Sequence, residues 1–62
     1  MAKFTVGDKV DVGSAYIDAV VVRVVGKVKK SIMYDVQYTT DKGTPFEKRH
    51  QQPWLEEQIK RK

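Results

Sequence analysis

One run of β-branched residues constrains the fold of this 62-residue chain more than any other feature. Residues 19–28 read AVVVRVVGKV, and six of these ten are valine. Valine loses rotamer freedom in a helix and packs well on a pleated sheet, so the run predicts a strand. We expect the even positions to point inward, because the odd positions would bury Arg23 and Lys27. That inward set is Val20, Val22, Val24 and Val28. A bulge near Arg23 would change the phase, which leaves the face of Val21 open.

The residues after this run predict a second strand, and the two strands form a hairpin. From position 32 to position 38 apolar residues alternate with polar ones, as in a strand with one buried face. The apolar set is Ile32, Tyr34, Val36 and Tyr38. The connection falls at 26–31, and we expect Lys29 and Lys30 at its tip.

Two shorter strands flank the hairpin in the predicted order. Val10 alternates with charged residues after a Gly7-Asp8 turn, and we expect Phe4 and Val6 to fold back onto the core. Residues 44–50 predict a further strand. The turn before it, at 40–43, ends in Gly43, which is able to take a positive φ.

The C-terminal segment has two interpretations. Pro53 at a first helical position, followed by acidic and then basic residues, fits a short helix. Alternatively, residues 53–55 form a 3₁₀ turn that leads into a closing strand around Ile59. The sequence thus predicts an all-β fold of four or five antiparallel strands with a short C-terminal helical or 3₁₀ segment.

This order of segments resembles the SH3-like small β-barrels, and within them the Tudor and KOW group. The residues that carry the resemblance are Phe4-x-Val6-Gly7-Asp8-x-Val10, Ala19-x-Val21, Tyr34-x-Val36-x-Tyr38, Gly43-Thr44 and Leu55. The resemblance implies that Ala19 and Val21 point inward, opposite to the phase expected above. It also implies an aromatic groove in the loop region, able to stack bases or hold a cationic side chain. The residues in that region are Tyr16, Phe46 and Trp54, although we expect Trp54 to plug one end of the barrel.

Composition limits the functions of such a domain. The chain is short enough that we expect residues 1–62 to form one domain. It has no cysteine, so we expect no disulfide and no thiolate zinc site. We expect no membrane span, no secretory signal at 1–4 and a cytoplasmic location. His50 is the sole histidine. With no cysteine or second histidine to build a metal site, and only Ser14 and Ser31 as serine nucleophiles, we expect no enzyme activity, no catalytic residue, no metal and no cofactor.

Positive charge is concentrated in the hairpin and in a basic tail at about 56–62. The net charge is +4, and residues 19–30 alone hold four basic residues and no acidic one. Lysine and arginine contacts to phosphates give sequence-independent, salt-sensitive binding, and a β-hairpin is narrow enough to lie in a major groove. The predicted nucleic-acid-binding residues are Arg23, Lys27, Lys29, Lys30, Lys48, Arg49, Lys60 and Arg61.

Other functions remain open from the sequence. Lysines on an edge hairpin also prevent edge-to-edge aggregation. The same loops suit a protein-interaction adaptor that binds a peptide or a partner protein. A small homo-oligomer is a further possibility, in which exposed Val21, Val25 or Met33 pack between copies. DNA, RNA and a protein are therefore the partners to distinguish.

Overall fold

A computed structural model describes residues 3–62; Met1 and Ala2, part of the segment examined for a secretory signal, lie outside the described residues. The strands form two antiparallel sheets, so the predicted all-β class is confirmed. The elements in chain order are β1 (Val10–Asp11), β2 (Ile17–Val28), β3 (Ser31–Thr40), β4 (Lys48–Leu55), a 3₁₀ helix (Glu56–Gln58) and β5 (Lys60–Arg61).

The larger sheet has the order β2-β3-β4, and its hairpin extends past the edge strand. β4 pairs with β3 only as far as Met33, which lies opposite Leu55. β2 and β3 continue to pair as far as Val28 and Ser31. We call this two-stranded extension, residues 26–33, the ribbon. The ribbon contributes to the elongated shape of the molecule, which measures 39 × 18 × 17 Å.

The smaller sheet, formed by β1 and β5, lies next to the first half of β2. The backbone N–H of Gly7 donates to the carbonyl of Val21 at 2.8 Å, and the N–H of Val21 donates to the carbonyl of Asp8 at 2.9 Å. Lys9 and Val20 form an isolated β-bridge. The segment before β1 therefore covers the outer edge of β2 up to Val21.

The core confirms the predicted face of β3 and corrects that of β2. It comprises eight buried apolar residues: Phe4, Val10, Ala19, Val21, Tyr34, Val36, Tyr38 and Ile59. In β2 the expected even phase is wrong, because Ala19 and Val21 are buried while Val24 and Val28 are 38% and 41% exposed. The pairing register shifts between Val21 and Arg23. This bulge moves Arg23 to the outer face, so the odd phase does not bury its charge.

Phe4 is buried as predicted, but Val6 is 64% exposed.

The boundaries of the fourth strand differ from the expectation. The strand predicted at 44–50 begins only at Lys48 and continues to Leu55. Residues before it form the turn, in which Gly43 takes a φ of 83° as expected. The turn is longer than four residues because Thr44 and Glu47 are held by further turn hydrogen bonds.

The C-terminal segment contains a 3₁₀ turn and a closing strand, as in the second interpretation, but the turn predicted at 53–55 is wrong in position, because those residues belong to β4. Pro53 lies inside β4 rather than at the start of a helix, and β4 is an edge strand, the kind of strand in which proline is tolerated. The 3₁₀ helix follows at Glu56–Gln58, after which Ile59 is buried and β5 closes against β1. No helix among residues 3–62 has the length and apolar character needed to cross a membrane.

Tyr34 joins three parts of this fold through its hydroxyl group. It donates to Oε2 of Glu56 at 2.5 Å and accepts the backbone N–H groups of Lys3 and Phe4 at 3.0 and 3.3 Å. Burial, and then the bond to Glu56, raises the pKa of Tyr34 above its ordinary value. The same bond lowers the pKa of Glu56. The protonated tyrosine and the ionised glutamate therefore form the stabilising pair.

Candidate nucleic-acid interface

The basic residues predicted from the sequence lie in separate places rather than on one surface. Lys27, Lys29 and Lys30 lie on the ribbon. Lys48 and Arg49 begin β4, opposite the last residues of β3 and therefore at its other end. Since β3 has ten residues, the two groups are about 30 Å apart at 3.3 Å per residue. A single phosphate contact surface cannot include both.

Two arginines are held by ion pairs within the fold. Arg23 Nε donates to Oδ2 of Asp35 at 3.0 Å, and this pair compensates the charge of an aspartate that is only 9% exposed. Arg61 donates to the carbonyl of Lys3 at 2.9 Å and lies 3.9 Å from the carboxylate of Asp8. It also lies 5.4 Å from the ring centre of Phe4. These guanidinium groups stabilise the fold. Lys60 is exposed on β5.

The three lysines of the ribbon are exposed and unpaired. None of them forms an ion pair with a carboxylate among residues 3–62. Lys42, in contrast, pairs with Asp18; that hydrogen bond raises the pKa of Lys42 and lowers the pKa of Asp18. The ribbon lysines are therefore free to exchange water and counterions for an anionic partner.

The backbone at the tip of the ribbon takes a conformation that favours glycine. Val28 pairs with Ser31, so Lys29 and Lys30 form a two-residue loop. Lys29 has a φ of 57°. A left-handed conformation costs an ordinary residue about 1–2 kcal/mol, and glycine is preferred where hairpin turns need a positive φ. The backbone of Lys29 is therefore strained, and this strain suggests that the lysine side chain has a function.

An open groove lies between the ribbon and the end of β4, and the sequence did not reveal it. Its apolar lining consists of Val28, Met33 and Leu55, and its polar lining of Lys29, Lys30, Ser31 and Glu57. Glu57 is the one carboxylate in this lining, so the ribbon keeps a net positive charge. The groove depends on β4 ending at Leu55, a boundary that the sequence pattern placed elsewhere.

The predicted aromatic residues are only partly brought together. The rings of Tyr16 and Trp54 lie 5.6 Å apart, edge to face, and Tyr16 also contacts Tyr38 at 4.8 Å. His50 stacks on Tyr38 at 5.4 Å and completes the cluster. Phe46 is 76% exposed in the turn before β4 and forms no ring pair within the described chain. The rings of Tyr16, Tyr38 and Trp54 thus pack against one another.

The polar groups of this cluster are mostly satisfied. Tyr38 donates to Oε1 of Gln52 at 2.7 Å, and Thr40 bonds to the ring of His50 at 2.9 Å. The indole N–H of Trp54 is buried and has no hydrogen-bond partner among residues 3–62. Over the same residues, no three His, Asp or Glu side chains come close enough to hold a metal ion.

Comparisons with known proteins do not assign this chain to a family. No protein-family model, no curated protein and no solved structure gave a significant match to it.

Proposed function

We propose that this chain is a non-enzymatic, cytoplasmic nucleic-acid-binding module that contacts phosphates through Lys27, Lys29 and Lys30. The observation that carries the proposal is the position of three exposed, unpaired lysines on a ribbon that extends past the sheet. Three other basic residues add to the electrostatic field that attracts nucleic acid from a distance, and they lie outside the contact surface. They are Lys48, Arg49 and Lys60.

The proposed fold is an SH3-like small barrel of the Tudor and KOW type. Three observations support it. Ala19 and Val21 are buried, in the phase that the resemblance implies. A 3₁₀ helix separates the last two strands. An isolated bridge joins Lys9 to Val20, so the two separate sheets lie side by side, as the strands of a small barrel do.

The charges of the ribbon favour phosphate over a carboxylate-bearing peptide. Lysine is a compact, hydrated charge with three rotatable donors, and it makes phosphate contacts without demanding a fixed geometry. Duplex DNA carries one negative charge per about 1.7 Å of its axis, so neighbouring lysines find neighbouring phosphates. Each contact also releases condensed counterions, which a folded protein partner does not supply.

A protein-interaction adaptor is the second candidate, because the groove between the ribbon and the end of β4 has an apolar lining of Val28, Met33 and Leu55. Val25 is 41% exposed and Met33 is half-buried, so both are available to a partner or to a second copy. Val21 is not available, since it is fully buried. For an adaptor, substitutions of Val28 or Leu55 would reduce binding more than substitutions of the ribbon lysines.

An NMR titration with nucleic acid tests which surface binds. The ¹⁵N-labelled protein is titrated at low salt with single-stranded and duplex DNA and RNA. We expect the largest shift changes at the amides of residues 26–32, because phosphates approach the backbone there. Changes centred on 46–50, or no change with any nucleic acid, would contradict the proposed function.

Replacing Lys29 with glycine should stabilise the fold and weaken binding at the same time. Glycine removes the strain free energy of the positive φ, and it also costs stability because it makes the unfolded chain more flexible. The gain exceeds the cost by about 0.5–1 kcal/mol, which raises Tm by a few degrees. Loss of one phosphate contact makes the slope of log K against log salt shallower by about 0.9.

Asp41→Gly is the matched control for Lys29→Gly. Asp41 has a φ of 54° in the turn at the opposite end of β3, so this change should also raise Tm. It removes a negative charge and should not weaken binding. Thermal melts and fluorescence anisotropy measure both quantities. If Lys29→Gly binds as tightly as the wild type, Lys29 is not a phosphate contact.

A further inference from the structure

We infer that the partner of the ribbon is duplex DNA, which the ribbon enters through the major groove with little sequence preference. This inference rests on the proposed function and adds the form of nucleic acid to it. Three properties of the ribbon carry the inference: its dimensions, its lack of aromatic residues, and the side chains at its tip.

The dimensions of the ribbon fit the major groove of B-DNA. Beyond the Met33–Leu55 pair, Ile32, Ser31 and the loop project about 10 Å at 3.3 Å per residue. The major groove is about 12 Å wide and about 8.5 Å deep, and it admits a two-stranded ribbon. The major groove of A-form RNA is deep and too narrow for such an element. Duplex DNA is therefore favoured over duplex RNA.

The ribbon offers no stacking platform for a single strand. Proteins that bind single strands combine a basic surface with aromatic rings on which unpaired bases stack. Residues 19–33 contain no aromatic residue. Tyr16, Tyr38 and Trp54 pack against one another near β4. A single strand on the ribbon would gain phosphate contacts only, with a lower charge density than a duplex provides.

The side chains of the ribbon are poorly suited to reading a base sequence. Residues 26–33 contain no Arg, Asn or Gln. Lysine is able to bond to guanine, but as a compact charge on a flexible side chain it binds phosphates equally well without a fixed geometry. Val28 and Ile32 are able to contact thymine methyl groups, which contributes little discrimination. The three lysines therefore set the affinity, and different duplexes should bind alike.

Competition between matched probes tests this inference. Affinities are measured for a DNA duplex of about 20 base pairs, the RNA duplex of the same sequence, and each single strand, all at equal low salt. We expect the DNA duplex to bind at least about tenfold more tightly, a difference of about 1.4 kcal/mol. Two unrelated DNA duplexes should differ by less than about threefold. Guanine N7, which faces the major groove, should be protected from dimethyl sulfate.

The outcomes separate this inference from the proposed function. Equal affinity for duplex RNA or for single strands, or unprotected guanine N7, overturns the duplex inference while phosphate binding stands. Absence of binding to every probe at low salt overturns both. So does binding that is unchanged when Lys27, Lys29 and Lys30 are replaced together by glutamine.

Discussion

Replacing Lys27, Lys29 and Lys30 with glutamine is expected to weaken DNA binding about 100-fold at about 20 mM salt. Each phosphate contact contributes about 0.9 to the dependence of log K on log salt, so three lost contacts remove most of the affinity of so small a surface. The lysines are exposed and unpaired, and glutamine keeps their length and polarity. The fold should therefore be unchanged, and fluorescence anisotropy with labelled DNA measures the loss.

A charge-matched variant separates a local contact from a general field. Replacing Lys48, Arg49 and Lys62 with glutamine also lowers the net charge from +4 to +1, since three basic residues are removed in each case. Lys48 and Arg49 lie about 30 Å from the ribbon tip. We expect the control to lose less than about tenfold. Equal losses in the two variants would mean that net charge, and not the ribbon, binds DNA.

Tyr34→Phe is expected to destabilise the fold by about 2 kcal/mol. The change removes the hydroxyl that bonds to Glu56 and accepts two backbone N–H groups, and the N–H of Phe4 is then buried without a partner. An unsatisfied buried donor costs about 1–3 kcal/mol. For a domain of this size, 2 kcal/mol lowers Tm by about 8–16 °C. Thermal unfolding by circular dichroism measures the shift.

The same variant should change the pH dependence of stability. The pKa of Glu56 is lowered in the fold, so its stabilisation is present above the ordinary value of 4.5 and is lost as the pH falls through the folded pKa. The pKa of Tyr34 is raised, so its stabilisation is present below the ordinary value of 10.0 and is lost as the pH rises beyond it. In Tyr34→Phe both losses should be smaller than in the wild type.

Tyr16→Phe controls for the removal of a hydroxyl in general. The hydroxyl of Tyr16 forms no hydrogen bond within residues 3–62. Its removal should change stability by less than about 0.5 kcal/mol and leave the pH dependence as it is. Similar losses in Tyr16→Phe and Tyr34→Phe, or an unaltered pH profile in the latter, would contradict the role assigned to Tyr34.

Local patterns predicted the parts of the fold that depend on local chemistry. Alternation along β3 identified Tyr34, Val36 and Tyr38 as buried, because a strand with one covered face must alternate. Clustering of valine identified β2, and the positions of Lys29 and Lys30 identified the hairpin loop. These features depend on residues within a few positions of one another.

Features that depend on distant contacts were not predicted from local patterns. The phase of β2 depends on a bulge beside Arg23, which is paired with Asp35 on the neighbouring strand. The start of β4 depends on turn hydrogen bonds around Thr44. Pro53 resembles a helix start but lies in an edge strand, where proline is tolerated.

The candidate site shows the same division. The sequence predicted that all three lysines lie in the hairpin connection at 26–31, because the composition of a turn is a local property. It did not show that Arg23 and Arg61 are held by carboxylates, or that the ribbon extends past Leu55 above an apolar groove. Those contacts depend on the register of three strands. They leave Lys27, Lys29 and Lys30 as the residues proposed to bind phosphates.

The salt dependence of DNA binding tests the central claim most directly. The slope of log K against log salt is measured for the wild type, for the glutamine triple variant of Lys27, Lys29 and Lys30, and for the charge-matched control. Three phosphate contacts predict a wild-type slope of about −2.7, a similar slope in the control and a slope near zero in the ribbon variant. Parallel lines for the wild type and the ribbon variant would contradict the claim that the ribbon binds phosphates.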